Sequence, residues 1–113
     1  MYPSKLNLAV PAAATFGAAQ EWDGGWGTVF FVGSTWASAT LKLQAKPPGS
    51  TRYLGVTDEF GAAIELVANG YRNFTLAGPV DLRVGSSGST GTTAVDCCLL
   101  AGWAETRGKT RAL

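Results

Sequence analysis

Hydrophobic and polar residues alternate without a break along Trp36-Ala37-Ser38-Ala39-Thr40-Leu41-Lys42-Leu43-Gln44-Ala45-Lys46. Ala37, Ala39, Leu41, Leu43 and Ala45 share one side, and Ser38, Thr40, Lys42, Gln44 and Lys46 share the other. Successive strand side chains point to opposite faces, so this pattern predicts a strand with one buried and one wet face. Wound as a helix, the same residues scatter their leucines around the cylinder and form no apolar stripe. Pro47-Pro48-Gly49-Ser50 ends the run, because proline brings no ladder donor and Pro-Gly suits a turn. This is the expected central strand of an all-β domain.

The same reading extends along the chain. Lys5 to Val10 alternates and is either a short first strand or an extended arm. Thr15 to Trp22 is a second candidate strand, followed by Asp23-Gly24-Gly25, whose glycines suit the positive-φ positions of a hairpin turn. Gly27 to Val32 is apolar on both faces, which places it in a sheet interior or against a partner. Tyr53 to Thr57 is the expected hairpin partner of the central strand, Asp58-Glu59-Phe60-Gly61 a turn, and Ala62 to Val67 the next strand. Asn69-Gly70 is the strongest short turn signal. Tyr71 to Leu76 and Val80 to Val84 alternate on either side of Gly78-Pro79. Gly85 to Thr93 reads as a Ser/Gly/Thr loop. Ala94 to Trp103 reads as a long last strand, apolar on both faces except at Asp96.

About eight short antiparallel strands bounded by turns predict a single-domain β-sandwich or jelly-roll-like barrel with extended N- and C-terminal arms. The expected boundaries are an N-terminal arm over 1–14, the sandwich over 15–103 and a basic tail over 104–113. A length of 113 residues suits one domain with one core.

Composition narrows the chemistry. Hydrophobic residues make up 46% and charged residues 15%, too little charge to cover a lone surface generously. The formal net charge of +1 lacks the cationic footprint of a nucleic-acid binder, so no nucleic-acid partner is expected. With no histidine, the commonest general base and metal ligand are missing, and no carboxylate spacing implies a shared cleft. Asp58-Glu59 reads as a backbone-capping or solubility feature of its turn. We therefore expect no enzymatic activity, no catalytic or metal-binding residues and no cofactor. The adjacent Cys97 and Cys98 face opposite ways on a strand and read as two buried free thiols. No window reaches the roughly 18 apolar residues of a membrane span, so no membrane association is expected. The Ala-rich start, interrupted by Pro11, reads as part of the protein rather than a cleaved leader.

The aromatic residues form the remaining constellation. Trp22 and Trp26 flank the Gly-rich turn, Trp36 opens the central strand and Trp103 closes the last. Three roles are open to them: capping the sandwich core, anchoring a subunit interface, or stacking sugars. The doubly apolar runs around Phe30 and after Val95 favour the interface, since a lone two-layer sandwich keeps one face of each strand polar.

The order of these features resembles a family. Trp22-Asp23-Gly24-Gly25-Trp26-Gly27 leads to Thr28 to Val32, then to Ala39-Thr40-Leu41-Lys42-Leu43-Gln44 and Tyr53-Leu54-Gly55-Val56. Phe74-Thr75-Leu76-Ala77-Gly78-Pro79-Val80-Asp81-Leu82-Arg83-Val84 and a Thr90-Gly91-Thr92-Thr93 turn follow. Over about Trp22 to Leu100 this is similar to small virion structural proteins of tailed bacteriophages. The resemblance implies a non-enzymatic capsid cement (decoration) protein on the outer capsid surface of the virion. It implies a chain made in the host cytoplasm that binds the major capsid protein and is itself a homotrimer. The alternative is a head-fibre, neck or tail component that binds a glycan or receptor. The expected partner-interface residues are Trp22, Trp26, Phe30, Trp36 and Trp103, with Arg107, Lys109 and Arg111 of the tail placed to meet acidic patches on a capsid subunit. The basic tail and the Cys97-Cys98 pair depart from the family pattern.

Overall fold

Inward-facing leucines, valines and phenylalanines at every second position drive the chain into strands that share one core. The computed structural model describes residues 4–88 and 91–101. Its strands are β1 (Ser4–Leu8), β2 (Gln20–Trp22), β3 (Gly25–Thr35), β4 (Thr40–Lys46), β5 (Leu54–Gly55), β6 (Glu65–Leu66), β7 (Gly70–Leu76), β8 (Val80–Ser87) and β9 (Ala94–Ala101). No helix occurs among the described residues.

The antiparallel pairs nest about the middle of the chain. β4 pairs with β5 and β6, β3 with β7, β2 with β8, and β1 with β9. Two further pairings, β3 with β9 and β4 with β8, knit these hairpins into two sheets. One sheet runs β1-β9-β3-β7; the other runs β2-β8-β4-β5, with β6 also on β4. This wrapped nesting is the jelly-roll form of a β-sandwich. Between the sheets lie Val29, Phe31, Leu41, Leu43, Phe74, Leu82, Val84 and Leu99, all with no exposed surface.

The central strand is present but starts later than its alternation suggests. Trp36-Ala37-Ser38-Ala39 is a tight turn, closed by the Ala39 amide donating to the Trp36 carbonyl at 2.8 Å, with positive φ at Ala37 and Ser38. Alternation persists through this turn, so the pattern cannot mark where pairing begins. β5 and β6 are shorter than the runs 53–57 and 62–67. They are two halves of one edge strand: Val56 donates to the Leu43 carbonyl, and Leu43 donates to the Ile64 carbonyl. The loop between them is looped out beyond the Thr57–Ala63 bridge. Asp58 holds it, its Oδ1 accepting from the amides of Phe60 at 2.9 Å and Ala62 at 3.0 Å.

Most connections pass from one sheet to the other, which corrects the hairpin expected at Asp23-Gly24-Gly25. Asp23-Gly24-Gly25 joins β2 in one sheet to β3 in the other and is a corner, not a hairpin. Asn69-Gly70 likewise links β6 to β7 across the sandwich, and Gly78-Pro79 links β7 to β8. β8 also runs on to Ser87, into the stretch expected as loop.

At the N-terminus, Ser4–Leu8 is in register on β9 and Leu8 is buried, so this part of the expected 1–14 arm is a strand of the sandwich. The Ala12 and Thr15 carbonyls accept from Thr93 and Ser86, tying the following segment down as well. The tail over 104–113 lies outside the described residues.

Candidate functional site

The two sheets differ in what they turn outward. On the sheet containing β4 and β8, outward positions are polar and interlocked. Lys46 and Asp81 form an ion pair at 2.9 Å, and Asp81 holds the Lys46 ammonium above its ordinary value, mainly through that hydrogen bond. Arg83 donates from Nε to Gln44 Oε1 at 2.9 Å. Its guanidinium carbon lies 3.7 Å from the ring centre of Phe16 and 3.7 Å from that of Tyr53. The cation is thus enclosed by two aromatic faces, a favourable electrostatic arrangement.

The outward face of β1-β9-β3-β7 carries an apolar cluster centred on Phe30, bordered by Lys5, Asn7, Thr28, Asn73, Thr75 and Asp96, with Thr28 Oγ1 donating to Asn73 Oδ1 at 2.6 Å. On β3 the inward Val29 and Phe31 alternate with outward Thr28, Phe30 and Val32. Trp26 is 50% exposed, Val32 55% and Tyr71 58%. Leu100 and the half-buried Cys98 continue the patch on β9. Register puts Asn7, Cys98, Phe30 and Tyr71 in one row across the four strands. The Phe30 and Tyr71 rings lie 5.5 Å apart, within the range of favourable aromatic pairs. On the strands of this face the charged outward residues are Lys5 and Asp96, which form no ion pair among the described residues, and Glu59 reaches its β7 edge from the β5–β6 loop, its Oε2 accepting from Asn73 Nδ2 at 3.0 Å.

The expected interface residues separate under this geometry. Trp26 and Phe30 lie on the apolar face. Trp22 does not: it is only 4% exposed, its ring 5.4 Å from that of Phe74 and seated over Gly27, where a Cβ would stand 2.7 Å from the indole. The absent side chain at Gly27 makes the room that draws Trp22 inward, so the two tryptophans flanking the glycine corner form no shared platform. Trp36 is half-buried against Phe31 and donates from Nε1 to Asn69 Oδ1 at 2.8 Å, which closes one end of the core. Trp103, Arg107, Lys109 and Arg111 lie outside the described residues.

The cysteines also divide. Both are free; Cys97 points into the core and Cys98 outward, so only one of the pair is buried as expected. Burial, and after it the neighbouring Cys98, pushes the Cys97 thiol up to about 12. A thiol so disposed is a poor nucleophile.

Tyr71, Val32 and Leu100 were not singled out in advance, although the doubly apolar runs implied the last two. The Phe16–Arg83–Tyr53 stack has no local signal, because its three members come from separate segments. Among the described residues no group of three or more Cys, Asp or Glu side chains could hold a metal ion, and no helix is long and apolar enough to cross a membrane. Searches with this chain found no matching protein-family model, curated protein or solved structure.

Proposed function

We propose that this chain is a non-enzymatic virion structural protein, a capsid cement of the bacteriophage type that stabilises a shell by burying apolar surface against neighbouring chains. The observation that carries the reading is the contrast between the two sheets. One outer face is polar and carries the Lys46–Asp81 ion pair and the Arg83–Gln44 hydrogen bond, whereas the other exposes Trp26, Val32 and Tyr71 around Phe30. Exposed apolar patches rimmed by polar residues mark association surfaces. Many weak contacts repeated over a shell add through avidity. The sequence resemblance supplies the capsid context, and the jelly roll is an architecture that capsid proteins also use, though a fold alone assigns no function.

An adjoining surface, which borders Tyr71 at the β7 edge, suits the shell itself. The β5–β6 segment exposes Leu54 at 71% and Phe60 at 86%, the latter on the turn that Asp58 holds rigid. In this reading the segment meets the major capsid protein on the outside of the virion. The alternative of a glycan-binding fibre, neck or tail component is the weaker one, since a sugar-stacking platform at the glycine corner needs Trp22 and Trp26 exposed together and Trp22 is buried.

The test is co-assembly with the major capsid protein of the virus that carries the chain. The expected result is saturable occupancy of the shells and a higher shell disruption temperature, with both reduced by Phe60→Ser. Absence of binding by the folded wild-type chain would overturn the proposal.

A further inference from the structure

We infer that the apolar outer face of β1-β9-β3-β7 is occupied by a second copy of this chain, packed face to face about a two-fold axis along the Asn7–Cys98–Phe30–Tyr71 row. This deepens the assembly reading above and rests on it for the face being an interface at all; what it adds is the occupant and its symmetry.

Charge placement argues for a second copy. Asp96 lies two residues along β9 to one side of Cys98, and Leu100, whose partner on β1 is Lys5, lies two residues to the other side. A two-fold axis across the strands at the Cys98 row reverses the strand direction of the partner. Asp96 of each copy then faces the Leu100–Lys5 row of the other, and two otherwise unpaired ions meet twice. The same operation sets Phe30 and Tyr71 against their own counterparts and Val32 over Thr28. A patch that complements itself in this way is the mark of an isologous contact. The homotrimer expected from the resemblance needs two different complementary patches on each chain, which this face does not provide.

The size is sufficient. Four strands about 4.8 Å apart and 5 to 11 residues long, at about 3.4 Å per residue, present roughly 500 Å² in projection. Side-chain relief raises the accessible area toward the ~800 Å² per partner of a stable pair. Two such faces stack about 10 Å apart, as sheets do in sandwiches.

The experiment is sedimentation equilibrium of the full chain and of outward-facing charge swaps. Wild type is expected to dimerise. Lys5→Glu and Asp96→Lys each weaken the dimer at least ten-fold, and the double swap restores it to within about three-fold. A short bis-maleimide is expected to link the wild-type dimer through Cys98, and Cys98→Ser to abolish the link. Circular dichroism spectra matching that of the wild type, with cooperative melting, establish that the variants are folded. A monomer or a trimer in the wild type overturns the inference, and so does a dimer indifferent to both swaps that Cys98 does not link. A chain that stays monomeric yet saturates shells overturns this inference alone, whereas a dimer that never binds shells overturns only the cement reading.

Discussion

Gly24 and Gly78 lie backbone against backbone where two corners of the sandwich cross: a Cβ on Gly78 would stand 2.5 Å from the Gly24 nitrogen, and one on Gly24 would collide with the Gly78 nitrogen. These corners carry β2 into β3 and β7 into β8, so their contact helps set how the two sheets meet at this end. Gly24 also has a φ of +101°, which side chains rarely adopt.

Gly78→Ala is therefore expected to destabilise the fold by about 2–3 kcal/mol, since the obstructing atoms are backbone and cannot swing aside. Gly24→Ala should cost more, because strain of roughly 1–3 kcal/mol adds to the clash. Gly49→Ala serves as the control, having a φ of +81° and nothing within 4 Å of its would-be Cβ. Urea midpoints should fall in the order Gly49→Ala, Gly78→Ala, Gly24→Ala; a Gly78→Ala chain as stable as wild type, with equal losses at Gly24 and Gly49, would mean that strain, not the corner contact, matters.

Asn69 acts through its side chain, not through a hairpin turn. Its Oδ1 accepts from the Gly33 amide at 2.9 Å and from Trp36 Nε1 at 2.8 Å, fastening the end of β3 to the turn before β4. Asn69→Ala removes both bonds and is expected to cost about 1–2 kcal/mol. Asn69→Asp keeps an acceptor and should cost less than half as much, read by the same unfolding curves. If the two variants are equally destabilised, the bonds contribute little.

The way these residues are used shows what the sequence could and could not disclose. Alternation revealed the strands, because an inward residue such as Leu43 or Leu82 is needed at every second position whatever its partner strand. Glycine pairs revealed that the chain bends at Gly24-Gly25, yet a bend carries no information about which sheet receives the next strand. The direction taken by Trp22 depended on Gly27 in a strand of the opposite sheet. Similarly, the Arg83 clamp depends on Phe16 and Tyr53, whose positions only the nested pairing brings together. The apolar outer face was partly legible, since Phe30-Phe31-Val32 cannot all point inward from one strand.

Alkaline conditions should expose the buried thiol. Burial raises Cys97 from 9.0 to about 12, so between these values the native chain holds a proton that the unfolded chain releases. Stability from this group is intact below about pH 9 and declines as pH rises toward 12, at up to about 1.4 kcal/mol per unit. Cys97→Ala should show a shallower fall in urea midpoint from pH 8.5 to 10.5. The Lys46–Asp81 pair is present in both proteins and cancels in the comparison. Identical slopes would show that Cys97 does not contribute.

The Arg83 clamp should be worth a measurable coupling. Removing Phe16 or Arg83 leaves the remaining partner without its cation–π contact, a contact of roughly 0.5–1 kcal/mol at an exposed site. Phe16→Ala, Arg83→Met and the pair form a double-mutant cycle with an expected interaction of about 0.5–1 kcal/mol. A coupling below about 0.2 kcal/mol would reduce the stack to incidental contact.

Phe31 and Val32 are neighbours in β3 and should separate folding from association. Phe31 has no exposed surface and touches the core from the inner face, so Phe31→Ala is expected to cost about 3–5 kcal/mol. Val32 is 55% exposed on the outer face, and Val32→Thr should alter stability of the monomer by no more than about 0.5 kcal/mol. Val32→Asp should remain folded while raising the concentration at which the chain self-associates, because a charge placed there must lose its water on burial. Circular dichroism melts and light scattering on the same samples read the two properties independently. If Val32→Asp unfolds the chain as Phe31→Ala does, the outer face belongs to the fold; if it leaves association untouched, the surface that neighbouring chains cover lies elsewhere.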